Sequence, residues 1–170
     1  IESIAGSLES RGIKRGDVVT IFLPNCVQSF AAFYAINRIG AIANIVHPLT
    51  PPDVLEEILK TAHSKAIFIF DLLMEKYVSM FRKRNRLTII CSPSDYATPL
   101  TRPAFKLFEK VKVKSKAPSS NTASYHTICH LNHKASKLQG NGDDIAVYLH
   151  GGGTTGKSKT ITLTNKNLNE

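Results

Sequence analysis

Apolar residues recur along the first half of this chain with two alternating periods. In IESIAGSLESRG, Ile1, Ile4, Ala5 and Leu8 fall at helical spacing, and Gly12 ends the helix. DVVTIFLPN is a run of β-branched and apolar residues closed by a Pro-Asn turn, the pattern of a buried strand. Asn25, with Gln28 three residues on, predicts a capping box for the helix VQSFAAFYAINRIG, which Gly40 stops. That helix is apolar on most sides, so deep packing is expected of it. AIANIVHP predicts a second strand, and Thr50, Pro51 and Asp53 mark the next helix start. Val54, Leu55, Ile58, Leu59 and Ala62 form the stripe of that helix. AIFIF predicts a third strand, followed by a helix capped by Asp71 with Leu73, Tyr77, Met80 and Phe81 as its stripe. LTIICS predicts a fourth strand. Strands separated by helices imply βαβ crossovers, hence an α/β fold with a doubly wound, largely parallel sheet and helices on both faces.

The periodicity stops near residue 94. Residues 95–142 are rich in Ser, Asn, Lys and Pro, with one short helix expected from Pro103 to Lys110. So long a stretch without pattern reads as a polar, basic insertion or a mobile segment. Order returns with DDIAVYLH, a strand that leads directly into HGGGTTGKSK, and TITLT beyond it alternates as an extended segment does. The expected organisation is one incomplete domain: an α/β subdomain at 1–94, the polar segment at 95–142, and a strand, loop and extended segment at 143–170.

Length and composition narrow the setting. The 170 residues are enough for one domain with a real core, and 42% are hydrophobic. The longest apolar runs, such as AIFIFDLLM, fall short of the ~20 residues of a spanning helix, so a soluble protein is expected. Cys26, Cys91 and Cys129 cannot all pair and show no C-x-x-C spacing, which favours a reducing compartment, most simply the cytoplasm. The net charge is +9, of which +8 lies between Glu75 and Lys116, so the excess belongs to one region. Two basic runs there, RKRNR at 82–86 and KVKVKSK at 110–116, could bind phosphate backbones, but no aromatic residues are interleaved for base stacking. The first suits a helix C-terminus and the second a guarded edge strand, so a nucleic-acid-binding domain ranks third among the functions considered.

The chemistry concentrates in residues 150–159. Clustered glycines let successive backbone N–H groups turn inward as an anion-binding nest. Thr154 and Thr155 add hydroxyl donors, and Lys157 and Lys159 add positive charge. Read from Gly151, the stretch is also G-x-x-x-x-G-K-S, the phosphate loop of the P-loop NTPases. Such a loop opens into a helix and needs an acidic partner for Mg²⁺. Here β-branched residues come after Lys157, and Asp71 is the only acid at a strand end, so the context disfavours that reading. A helix directly after Lys157 would support the P-loop reading, and an extended segment would count against it. HTICHLNH offers His126, Cys129, His130 and His133 to a metal, yet it lacks a second ligand pair and a standard spacing, and no metal site is assigned. His47 and Cys26 lie near strand C-termini, where a packing or surface role is the simpler reading.

GGTTGKSKTITLTNKNL resembles the signature of the adenylate-forming superfamily, which includes acyl-CoA synthetases, luciferases and peptide-synthetase adenylation domains. The signature is Ser-Gly-Thr-Thr-Gly-x-Pro-Lys-Gly, a mostly apolar run, then Thr-His-x-Asn-Leu. Gly153, Thr154, Thr155, Gly156, Lys159, Thr164, Asn167 and Leu168 match it. Gly152, Ser158, Thr160 and Asn165 stand where Ser, Pro, Gly and His are usual. Independently, residues 11–68 are similar to the family's N-terminal stretch, through Gly16-Asp17, Leu23-Pro24-Asn25, Gly40-Ala41 and the strand ending at Pro48. The likeness covers about residues 1–92 and 143–168.

The resemblance implies that ATP and a carboxylic acid give an acyl-adenylate and pyrophosphate, with coenzyme A as the next acceptor and Mg²⁺ accompanying ATP. Gly152, Gly153, Thr154, Thr155, Gly156, Lys157 and Lys159 would hold the ATP phosphates, with Lys159 neutralising the leaving pyrophosphate. Ser158 for proline would loosen the loop, and Thr160 for glycine would restrict it. The family's later motifs, an aromatic-Thr-Glu run, a ribose-binding Asp, an Arg and a C-terminal-domain Lys, would lie beyond Glu170. The chain is therefore expected to be an N-terminal fragment, inactive without the remainder of its own protein.

Overall fold

The computed structural model describes residues 1–82, 86–97, 100–101, 103–104, 121–136, 140–151 and 159–170. In chain order its elements are α1 (Glu2–Ser10), β1 (Val18–Phe22), α2 (Val27–Arg38), β2 (Ile42–Ile45), α3 (Pro52–Thr61) and β3 (Ala66–Phe70). Then come α4 (Met74–Arg82), β4 (Leu87–Cys91), β5 (Thr122–Ser124), α5 (Tyr125–His130), β6 (Ile145–Gly151), β7 (Lys159–Thr164) and α6 (Asn165–Asn169). The strands form one sheet in the order β5-β4-β3-β1-β2-β6-β7. Every neighbouring pair is parallel except β6–β7, which is antiparallel.

Strand order dictates which face each helix covers. Parallel crossovers are right-handed, so reversing the direction of travel along the sheet moves the connecting helix to the other face. The step from β1 to β2 runs one way, whereas β2 to β3 and β3 to β4 run the other. Two cores result. Ala32, Ala35 and Ile36 of α2 join Ile4, Ala5 and Leu8 of α1 and Tyr125 and Ile128 of α5 against Val19, Ile21, Ala43, Phe68 and Val147. On the opposite face Leu55 and Leu59 of α3 join Met74, Tyr77, Met80 and Phe81 of α4 against Phe22, Val46, Ile67 and Ile69. The doubly wound α/β architecture expected from the strand–helix alternation is present. Among the described residues no helix is long and apolar enough to cross a membrane.

Three local expectations need correction. The N-cap of α2 is Cys26 and not Asn25, because Ser29 closes the first turn. The Ser29 hydroxyl accepts from the Cys26 N–H at 3.1 Å and donates to the Cys26 carbonyl at 2.7 Å. Gln28 is thereby released to serve the tertiary structure: it is buried, and its Nε2 donates to the Ser92 carbonyl beyond β4 at 3.0 Å. Second, α2 is packed on one side only, and Val27, Phe30 and Tyr34 lie 58–60% exposed along the other. Third, β5 and α5 form inside the polar stretch at 95–142, where the pattern predicts neither. β5 has three residues and α5 six, too short for either period to register, yet Tyr125 and Ile128 are fully buried. Of the helix expected at 103–110, only 103–104 are described, and they are helical. The run 110–116 lies outside the described residues.

The approach of α1 to the chain after α5 is unusually close. A Cβ on Gly6 would lie 2.8 Å from the backbone carbons of both His133 and Lys134. Backbone cannot rotate away as a side chain can, so Gly6→Ala must displace the segment that comes after α5. The expected loss is about 1–3 kcal/mol of stability, read from the denaturant midpoint; an unchanged midpoint would contradict this packing.

Candidate functional site

Five parallel strands and the β6–β7 hairpin bring Cys26, His47, Asp71 and Lys159 to one edge of the sheet, the carboxyl ends of its parallel strands. Open α/β sheets bind ligands outside this edge. β1 exits there through Leu23-Pro24-Asn25 into Cys26, β2 into His47, β3 into Asp71 and β4 into Ser92. β6 exits through His150 and Gly151, and β7 begins there with Lys159 and Thr160. Gly151 is paired with Lys159 and His150 with Thr160, so the glycine-rich segment joins the two ends of a paired stem. Gly152, Gly153, Thr154, Thr155, Gly156, Lys157 and Ser158 lie outside the described residues. Lys159 is described: it is exposed, at the first position of β7.

The segment from Lys159 onward bears on the two phosphate-loop readings. Residues Lys159–Thr164 form a strand, not a helix, so no helix N-terminus stands directly after the loop to receive the phosphates. Asp71 stands at the end of β3, with β1 and β2 between that strand and β6, and its Oδ1 accepts from the Leu72 N–H at 2.6 Å. Its strand is therefore not a neighbour of β6, the strand that leads into the loop.

A chain of polar side chains, which the sequence pattern does not anticipate, crosses the sheet to this stem. His150 Nε2 lies 2.6 Å from Asn44 Oδ1, and Asn44 Nδ2 donates to Thr20 Oγ1 at 2.9 Å. Thr20 Oγ1 lies 2.7 Å from Ser64 Oγ, which donates to the Ala66 carbonyl at 2.9 Å. At the other end Thr160 Oγ1 is 3.3 Å from His150 Nδ1. With Asn44 Nδ2 donating to Thr20 and the His150 ring neutral, proton counting gives each bond its direction. Ser64 spends its hydrogen on Ala66, so Thr20 donates to Ser64. Asn44 offers its oxygen to His150, so Nε2 carries the ring proton and Nδ1 accepts from Thr160. Thr20, Asn44 and Ser64 are buried, and each would be costly there without partners. The available signal was a lone polar residue in each buried run, Thr20 in VVTIF and Asn44 in IANI.

The other candidates stay apart from this chain. His47 is exposed, two residues past the last β2–β6 pair, and its Nδ1 accepts from the Leu49 N–H at 3.2 Å. Cys26 is half-buried at the start of α2, while Cys91 is fully buried, and burial pushes its thiol well up. His126 and His130 stack at 4.2 Å on α5, whereas Cys129 packs against the core. Among the described residues no group of three or more His, Cys, Asp or Glu could hold a metal ion. From the basic run at 82–86, Arg86 is half-buried with its Nε donating to the Ser64 carbonyl at 2.7 Å; residues 83–85 lie outside the described residues.

Comparison with known proteins bears on the whole chain. Residues 1–170 match the family described as AMP-binding enzyme. A long-chain-fatty-acid–CoA ligase of Bacillus subtilis (strain 168) is 32% identical over 97% of this chain and 30% of its own length. A probable CoA ligase, CCL5, of Humulus lupulus is 27% identical over 99% of this chain and 27% of its own. The chain thus spans under a third of the curated relatives it matches. The crystal structure of the anthranilate CoA ligase AuaEII in complex with anthranoyl-AMP superposes with a TM-score of 0.74 at 17% identity, over 96% of this chain and 28% of that one. That likeness is one of fold.

The environment of His150 gives a pH signature. Burial lowers its pKa below the ordinary 6.5, so near and below that value the unfolded chain binds the proton more readily than the folded one. This contribution to stability is present above pH 6.5 and lost as the pH falls below it. His150→Gln should therefore show a smaller loss of stability between pH 7 and pH 5 than the unmodified protein, in denaturant midpoints measured at each pH. Parallel curves would refute the burial effect.

Proposed function

Because the chain belongs to the AMP-binding enzyme family, we propose that it carries the ATP-phosphate loop of a ligase that joins a carboxylic acid to AMP and then to coenzyme A. The observation that carries this reading is the strand–loop–strand at the carboxyl edge of the sheet, with β6 entering and β7 returning as a strand. A P-loop NTPase would continue as a helix at that point. The Thr-Thr-Gly core and Lys159 supply what a triphosphate requires, namely hydroxyl donors, backbone donors and a cation.

In the proposed reaction MgATP and the acid are the first substrates. Thr154, Thr155 and the N–H groups of Gly152, Gly153 and Gly156 grip the β- and γ-phosphates, with Lys157 adding charge beside them. The acid's carboxylate oxygen attacks the α-phosphorus and pyrophosphate leaves with the electron pair of the broken bond. Lys159 stabilises the negative charge that grows on that leaving group. The thiol of coenzyme A would then displace AMP from the acyl-adenylate. The names of the related CoA ligases support this acceptor.

The chain needs the rest of its protein to do this, in our reading. Val27, Phe30 and Tyr34 line one exposed face of α2, and the relatives are more than three times as long as the segment matched here. Further chain packing on that face would complete the domain, and the 170 residues alone are expected to be inactive. Carboxylate-dependent ATP–pyrophosphate exchange by the isolated chain would overturn that expectation.

The lysines provide the direct test. In the intact protein, Lys159→Ala should lower carboxylate-dependent ATP–pyrophosphate exchange about 100-fold, the typical effect of removing one charge-stabilising donor. Lys157→Ala should cost much less. The reverse order would favour the P-loop reading, and absence of exchange with any of a broad set of carboxylic acids would sink the ligase assignment.

A further inference from the structure

His150 holds both ends of the loop's stem at once. It belongs to β6, the strand that enters the loop; its Nε2 bonds to Asn44 on β2 at 2.6 Å, and its Nδ1 faces Thr160 on β7 at 3.3 Å. Thr160 comes directly after Lys159, and Lys159 is paired with Gly151. Through Asn44 the ring connects to Thr20 on β1, the central strand, and to Ser64 before β3. A single side chain thus links the departing strand of the loop to the most buried part of the sheet.

Among the described residues, the His150 side chain is what ties this end of the hairpin across to β2. Lys159–Ile161 are exposed along β7, in contrast to the fully buried β1. Its far end is anchored separately. Arg15 Nη2 donates to both carboxylate oxygens of Asp144 at 2.8 Å, and the Asn165 N–H donates to the Asp144 carbonyl at 3.0 Å. At the loop end, among the described residues, the backbone pairing of β6 and β7 and the His150 bonds tie Lys159 to the sheet.

We propose that His150 is a positioning residue for phosphate binding: it acts through Thr160 and Asn44 to fix where β7 begins, and so where Lys159 stands relative to the loop. The inference rests on the ligase reading of the site. His150 itself need touch neither ATP nor the acid. A side chain that merely filled space or satisfied Asn44 would affect stability alone, whereas a positioning residue affects the triphosphate end of the site selectively.

The test uses the intact protein and three substitutions. His150→Phe keeps an aromatic ring without its nitrogens, His150→Gln restores a donor toward Asn44, and Thr160→Val breaks only the β7 link at an exposed position. His150→Phe is expected to raise the KM for MgATP about tenfold with the KM for the carboxylic acid unchanged. Thr160→Val should shift it the same way by less, and His150→Gln should recover most of the loss. Hydrogen exchange at the β6–β7 stem amides should quicken about fivefold in His150→Phe, as for loss of one net hydrogen bond, with β1 and β3 unaffected.

A lower melting temperature with an unchanged KM for MgATP would overturn the inference, as would an equal rise in both KM values. If His150→Phe does not fold, Thr160→Val decides: an unchanged KM for MgATP and unchanged stem exchange reject the role. Failure of the unmodified protein to catalyse exchange would reject the ligase reading, and this inference with it. An active unmodified protein with unaffected variants would reject the inference alone.

Discussion

The pairing of β6 alongside β2 is the contact on which the site depends. Ala43 lies beside Val147, Asn44 beside Tyr148 and Ile45 beside Leu149. These three pairs join segments about a hundred residues apart, and ordering so long a connection must be offset by what the pairing buries. One face of β6 contributes Val147 to the α1–α2–α5 core, with Leu149 packed against it. The other face places His150 against Asn44. Apolar burial on one side and a directed hydrogen bond on the other fix the register. A one-residue slip would put His150 into the apolar core and Leu149 over Asn44, exchanging every favourable contact for an unfavourable one.

The two faces of the sheet are finished differently. α3 and α4 cover β1 and β3, but the described helices leave the same face of β6 and β7 more open: Tyr148 and His150 are half-buried and Thr160 is exposed. The polar chain runs from the dry part to the open part, Ser64 and Thr20 at one end and Thr160 at the other. Its direction is fixed throughout because each hydroxyl has one hydrogen to give. Such a network is worth having only when every member is satisfied. Substituting an interior member leaves a buried partner unpaired, whereas substituting Thr160 leaves only a ring nitrogen that water can reach. The β6–β7 stem therefore sits where the buried interior meets solvent, tied to β1 through Asn44 and Thr20.

Much of the architecture was legible in residue patterns, for a physical reason. Strands buried on both faces read as unbroken apolar runs, so VVTIF and AIFIF announce a parallel, helix-covered sheet without further information. β7 was legible too, since TITLT is a β-branched alternation that a helix would not favour. Elements held by neighbours rather than by their own pattern were not: β5 pairs with β4 through three residues, and α5 buries only Tyr125 and Ile128. The start of α2 slipped by one position because Asn25 and Ser29 are both good capping residues, and only the geometry shows which one bonds. The exposure of Phe30 and Tyr34 was hidden because periodicity records residue type and says nothing about what lies opposite. At residues 150–159 the lysine and glycine pattern can be read from the sequence, whereas the bond from His150 to Asn44 depends on β2 lying beside β6.

The two departures from the family signature that flank Lys159 belong together physically. Proline before that lysine would fix φ within the loop, and Ser158 removes that restraint. Glycine after it carries no side chain to anchor, and Thr160 supplies the hydroxyl that meets His150 Nδ1 at 3.3 Å. At the base of the loop Thr160 is a β-branched residue suited to a strand, and it faces a ring already held by Asn44. In a loop that ran into a helix, backbone donors at the helix N-terminus could hold the phosphates, and rigidity would come from the helix. In this strand–loop–strand, among the described residues, the two ends are paired with each other and tied to β2 through His150, and it is there that the proposed positioning of Lys159 would be set.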